Sequence, residues 1–89
     1  MLDTKKIIIK DLYNSMKWFK QTDKLDNVSF NKNKDGLIVS HKGQTIKVSL
    51  EEDRDENKYD YIIEDEGDRR AYWSSIQIIK WIDQYLIGE

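Results

Sequence analysis

Ten carboxylates fall within the eighteen residues from Glu51 to Asp68: Glu51, Glu52, Asp53, Asp55, Glu56, Asp60, Glu64, Asp65, Glu66 and Asp68. Carboxylates at this density can do three kinds of chemistry. A pair in an apolar cleft, one partner with a raised pKa, can serve as general acid and base. Acids at alternate loop positions can wrap a calcium ion. Ionised acids spread over a surface can steer and select a basic partner. The neighbouring residues offer no apolar burial for the first. For the second, Asp53, Asp55, Asn57 and Glu64 do stand at positions one, three, five and twelve of a calcium loop. Lys58, however, stands where the sharp turn needs Gly, and Asp60 where an apolar residue belongs. The third remains, set against a plain solvated loop and turn.

Other groups offer less. His41 is the one histidine, with no Cys and no identifiable Ser or Asp partner to complete a nucleophilic triad. Its place beside a tight turn predicts a solvent-facing hairpin residue. Lys5, Lys6, Lys10, Lys17 and Lys20 lie close together but contain no Arg, the usual bidentate reader of guanine, so base-specific recognition is not expected. Salt-dependent contact with phosphates is compatible with them, as is a solvated amphipathic helix. Trp18 and Trp81 are expected at the rim of a small core, and an exposed Trp would instead signal a protein interface. Glycine-rich phosphate loops and nucleophile elbows are missing from the sequence.

The elements that hold these residues follow from periodicity. Thr4 can cap a helix to about Lys20, with Ile8, Ile9, Leu12, Tyr13, Met16 and Phe19 as its apolar stripe. Gln21–Asn27 reads as its exit loop. The period then drops to two. Val28 and Phe30 mark a short strand, and Asp35-Gly36 a turn. Leu37–His41 and Thr45–Leu50 form a hairpin around Lys42-Gly43. That turn sets His41 against Gln44, Val39 against Ile46 and Leu37 against Val48, which gathers the four aliphatics on one face. Ile38, Ser40, Thr45 and Lys47 take the other face. Glu51–Asn57 reads as a charged loop, followed by a strand through Tyr59, Tyr61 and Ile63. A three-residue loop at Glu66–Asp68 would return the chain as Arg69–Trp73, pairing Ile63 with Ala71, Tyr61 with Trp73 and Glu64 with Arg70. Ser74 and Gln77 form a capping box, with Trp73 and Ile78 placed for a hydrophobic staple. The last helix runs to about Ile87, its apolar face made of Ile78, Ile79, Ile82, Tyr85 and Leu86.

The expected fold is α+β: an N-terminal helix, an antiparallel meander of four to five strands and a C-terminal helix, both helices on one sheet face. Residues 1–89 form a single domain, since 89 residues give room for one core and no Pro or repeat divides them. Without Cys there is no disulfide framework and no thiolate, which suits a reducing, cytoplasmic setting. No stretch approaches the ~18 apolar residues of a membrane span, so no membrane partner is expected.

Charge is sorted along the chain. Residues 1–49 carry ten Lys and five acids, whereas residues 50–89 carry twelve acids and five Lys or Arg. Such asymmetry speaks about partners, not fold. Twelve Ile and twelve Lys against one Ala and no Pro also suggest an AT-rich source genome, such as a low-GC bacterium or its phage. The leading expectation is a small non-enzymatic protein-binding module needing no cofactor or metal. Its acidic surface, resembling a phosphate array, would engage a basic, nucleic-acid-binding host protein, as a phage accessory or inhibitor protein does. The alternative is direct nucleic-acid binding through the Lys-rich helix and hairpin. Monomer and homodimer are both compatible, because one copy's basic half could meet another's acidic half.

Overall fold

Hydrophobic spacing of three and four, then of two, then of three and four again gives a helix, a meander and a helix. The computed structural model describes residues 4–21, 25–55 and 58–88. In chain order the elements are α1 (Thr4–Gln21), β1 (Asn27–Phe30), β2 (Leu37–His41), β3 (Gln44–Asp53), β4 (Lys58–Asp65), β5 (Asp68–Tyr72) and α2 (Ser75–Trp81). A π-helical turn, Ile82–Ile87, continues α2. The strands form one antiparallel sheet in sequence order, β1-β2-β3-β4-β5.

Both helices cover the same sheet face. Ile9, Leu12 and Met16 of α1 join Ile78, Trp81, Ile82, Leu86 and Ile87 in one buried cluster. The strand residues in that cluster, Val28, Leu37, Val39, Ile46, Val48, Leu50 and Ile63, share one side of the pleat. Burying each such side chain contributes roughly 1.5–3 kcal/mol. The opposite face is left open to solvent.

The β2–β3 register matches the pattern read from the residues, with His41 against Gln44, Val39 against Ile46 and Leu37 against Val48. Lys42 and Gly43 both take positive φ, 49° and 84°. That pair of angles gives the two-residue turn whose twist suits a hairpin. Glu66 and Gly67 repeat it at 50° and 88°. The β4–β5 loop therefore has two residues, not the expected three, and every pair moves by one. Glu64 faces Arg69, Ile63 faces Arg70, Ile62 faces Ala71 and Tyr61 faces Tyr72. A one-residue slip sends each side chain to the other face. Tyr72 consequently turns toward the helices, and Trp73 stands 77% exposed. The staple between Trp73 and Ile78 is not made. The capping box between Ser74 and Gln77 is, with Gln77 Oε1 accepting from the Trp73 and Ser74 amides at 2.6 and 3.3 Å.

Three other expectations are corrected. His41 is 8% exposed, not solvent-facing, because it alternates in step with Leu37 and Val39. Neither of its ring nitrogens has a hydrogen-bond partner. Trp81 is buried while Trp18 is exposed, so the two do not share a rim position. Tyr85 points outward because the wider π turn brings Ile82, Leu86 and Ile87 inward together. The side chains of Phe19 and Lys20 lie outside those described.

Candidate protein-binding surface

The acidic run is strand for most of its length. β3 continues through Asp53, and Glu51, Glu52 and Asp53 pair with Asp60, Tyr59 and Lys58 across the β3–β4 ladder. Alternation then divides the carboxylates between faces. Glu51, Asp53, Asp60 and Glu64 project from the open face, while Glu52, Asp65 and Asp68 lie on the helix side. Asp55 lies in the turn after β3 and Glu66 in the β4–β5 turn. Glu56 lies outside the described residues, as does Asn57 of the calcium-loop spacing. Asp53 ends β3 and Glu64 lies in β4, so that spacing runs along strands. Among the described residues no group of three or more His, Cys, Asp or Glu gathers to hold a metal.

Cations interleave with the acids. Glu51 accepts from Arg69 Nη2 at 2.7 Å, and Asp68 accepts from Arg70 Nε at 3.2 Å. The Asp68 carboxylate holds the Arg70 guanidinium above its ordinary pKa, with a further contribution from Tyr72. Lys58 Nζ approaches Asp60 to 4.0 Å. Glu64 lies between Lys47 and Arg69 in the register. Gln44 Nε2 donates to both Asp65 oxygens at 3.1 Å. Exposed pairs of this kind contribute roughly 0.2–1 kcal/mol each. One of them also shields apolar surface. Ile62 projects from the open face yet is 1% exposed and stands outside the main cluster. In the register it faces Ser49 and Ala71, and the Glu51–Arg69 ion pair crosses it diagonally from β3 to β5.

Beyond that bridge the open face contains a concavity of about 320 Å³, lined by Asp53, Lys58, Asp60, Ala71, Tyr72 and Trp73. The Lys58 ammonium sits 5.7 Å from the centre of the Trp73 ring. An indole face, two carboxylates and small Ala71 thus surround a place already occupied by a cation from the same chain. An aromatic face attracts a cation by about 0.5–1 kcal/mol at exposed sites and more where water is excluded. Asp53 and Asp60 belong to the acidic surface expected from the sequence, whereas Trp73 and Lys58 do not. The signal for Trp73 in the sequence is Glu66-Gly67, which matches Lys42-Gly43 as a residue-plus-glycine turn and carries Trp73 to the open face.

The other end of the sheet is basic. α1 lies against β1, and Lys6 and Lys10, one helical turn apart, face Lys34 of the β1–β2 turn across Phe30. Because a meander keeps sequence order in space, the charge sorted along the chain becomes charge sorted across the sheet. No described helix is long and apolar enough to cross a membrane. No protein-family profile, curated protein or solved structure matches the chain.

Proposed function

We propose that this protein is a non-enzymatic binding module that grips a basic protein partner at the acidic end of its open sheet face. The observation that carries this reading is the Lys58 ammonium resting over Trp73 beside Asp60. A partner's Arg or Lys would take the same place, and Arg suits it better because its planar group stacks on an indole. Trp73 supplies a large rigid anchor of the type that dominates interface energies. Asp53 and Asp60 on the rim would add specificity and speed of encounter more than affinity.

This contact is narrower than a mimic of a whole phosphate array, since cations interleave with the acids across the face. A nucleic-acid-binding protein remains the partner class that best fits, because its basic surface offers many such side chains. An accessory protein of phage or mobile-element origin that blocks such a host protein is the most specific form of the reading.

Affinity capture with wild type and with a Trp73→Ala, Asp60→Lys variant tests it. All the substituted positions are surface ones, so the variant should retain wild-type circular dichroism. Wild type is expected to retain a basic protein that is released as salt rises, and the variant to lose it. Equal retention by both, or retention of no basic protein, would contradict the reading.

A further inference from the structure

The basic end contains a concavity of about 300 Å³ whose lining is Lys6, Lys10, Phe30 and Lys34. It rests on different residues from the Trp73 site and belongs to different elements. Lys6 and Lys10 are four apart on α1 and so project from one flank. Tyr13 and Lys17 continue the same flank at the next two turns, with the Lys17 ammonium 5.4 Å from the Tyr13 ring centre. Tyr13 stacks against Phe30 at 4.5 Å between centroids, with the planes tilted by 33°. The result is an aromatic floor edged by lysines.

Lys34 reaches this floor because the β1–β2 turn is tightly built. The Asp35 amide donates to Asn31 Oδ1 at 3.0 Å, and Asn31 Nδ2 donates to Asp35 Oδ1 at 2.8 Å. The Lys34 amide donates to the Asn31 carbonyl at 3.1 Å, which turns the chain through a positive φ of 62° at Lys34. The one acid of the turn, Asp35, is thereby engaged with Asn31 and does not line the concavity. Asp11, the described acid of α1, faces the opposite flank, where it lines a separate hollow with Tyr61 and Ser75.

We propose that this basic, aromatic-floored concavity binds single-stranded nucleic acid without reading its sequence. Three ammonium groups without an Arg suit phosphates as point charges and supply no bidentate fork for base edges. An apolar aromatic floor adds what a bare phosphate site lacks, a surface on which an unpaired base can rest. A duplex keeps its bases stacked inside and would reach only the lysines.

Fluorescence anisotropy with a labelled oligo-dT, and with a duplex of equal length, tests the proposal on the full chain. Oligo-dT is expected to bind more tightly than the duplex, with affinity falling linearly on a log–log plot against salt at about 0.7 per phosphate neutralised. Lys6→Gln, Lys10→Gln and Lys34→Gln, all exposed positions, should each weaken binding and flatten that slope. Phe30→Leu should weaken oligo-dT by roughly fivefold or more while leaving duplex binding unchanged. If Phe30→Leu unfolds the chain, the preference of wild type for the single strand decides the point alone. Trp73→Ala with Asp60→Lys should bind oligo-dT at least as well as wild type, which separates this site from the protein-binding one. No binding at low salt, equal affinity for duplex and single strand, displacement of oligo-dT by millimolar inorganic phosphate, or Lys variants that bind like wild type would overturn the proposal.

Discussion

The two ends of the sheet carry charge by opposite means. The acidic end has the denser run in sequence, yet a strand deals successive residues to opposite faces, and Arg69, Arg70 and Lys58 meet three of the carboxylates. Its field is divided. At the basic end the lysines are sparse in sequence, but the helical spacing of Lys6, Lys10 and Lys17 collects them on one flank beside Lys34. Charge density along a chain therefore says little about charge density in space until the period of the element is known. What distinguishes the acidic end is less its charge than an indole, Trp73, set among acids.

The largest expected effect breaks the basic end alone. A Cβ on Gly36 would lie 2.7 Å from the Val48 carbonyl oxygen and 2.9 Å from Asn31 Nδ2. Gly36→Ala should push the β1–β2 turn outward at a cost of about 1–3 kcal/mol in urea unfolding. It should also carry Lys34 away from Phe30 and reduce oligo-dT binding, with the Trp73 site unaffected. Wild-type stability would show that the turn does not hold Lys34 as described.

His41 sharpens the comparison by raising stability without touching either end. Both ring nitrogens are buried and unpartnered, so His41→Leu should remove an unsatisfied pair of polar atoms. A gain of about 1–2 kcal/mol is expected, which at this chain length raises Tm by roughly 4–8 °C per kcal/mol. Both binding activities should be retained. A fall in Tm would mean that the imidazole is held by a partner.

The smallest effect concerns the two flanks of α1. On the flank away from the lysines, burial first and the Asp11 charge second push the Tyr61 phenol above its ordinary pKa. The folded state then keeps that proton at a higher pH than the unfolded chain does. The associated stability is complete below the ordinary value of about 10 and declines as pH rises past it. Thermal melts should show this alkaline decline in wild type and a shallower one in Tyr61→Phe. Identical slopes would contradict the coupling.

Much of the architecture was legible in the residues, and the failures share a cause. α1 and the β2–β3 hairpin were clear because apolar spacing and the Lys42-Gly43 turn agreed. The β4–β5 register was lost because Asp65-Glu66-Gly67-Asp68 permits two loop lengths, and only the positive φ of Glu66 selects the shorter. That one residue hid the exposure of Trp73. His41 was legible but overlooked, since the register that placed Val39 inward places His41 inward too. Tyr85 was not legible, because a π turn leaves no mark on a pattern read at the ordinary helical period. The first part of the acidic run, Glu51–Asn57, reads as loop from its charge, yet the strand through Tyr59, Tyr61 and Ile63 needs a partner and so extends β3 through Asp53.

Amide and indole chemical shifts of the ¹⁵N-labelled protein, followed in two separate titrations, test most directly whether opposite ends serve different ligands. An arginine-rich peptide should move the Trp73 indole and residues of β3, β4 and β5 around Asp53 and Asp60. Oligo-dT should move the Lys6–Lys17 flank, Phe30 and Lys34. Peptide shifts that bypass Trp73, or two titrations that perturb the same residues, would contradict the account.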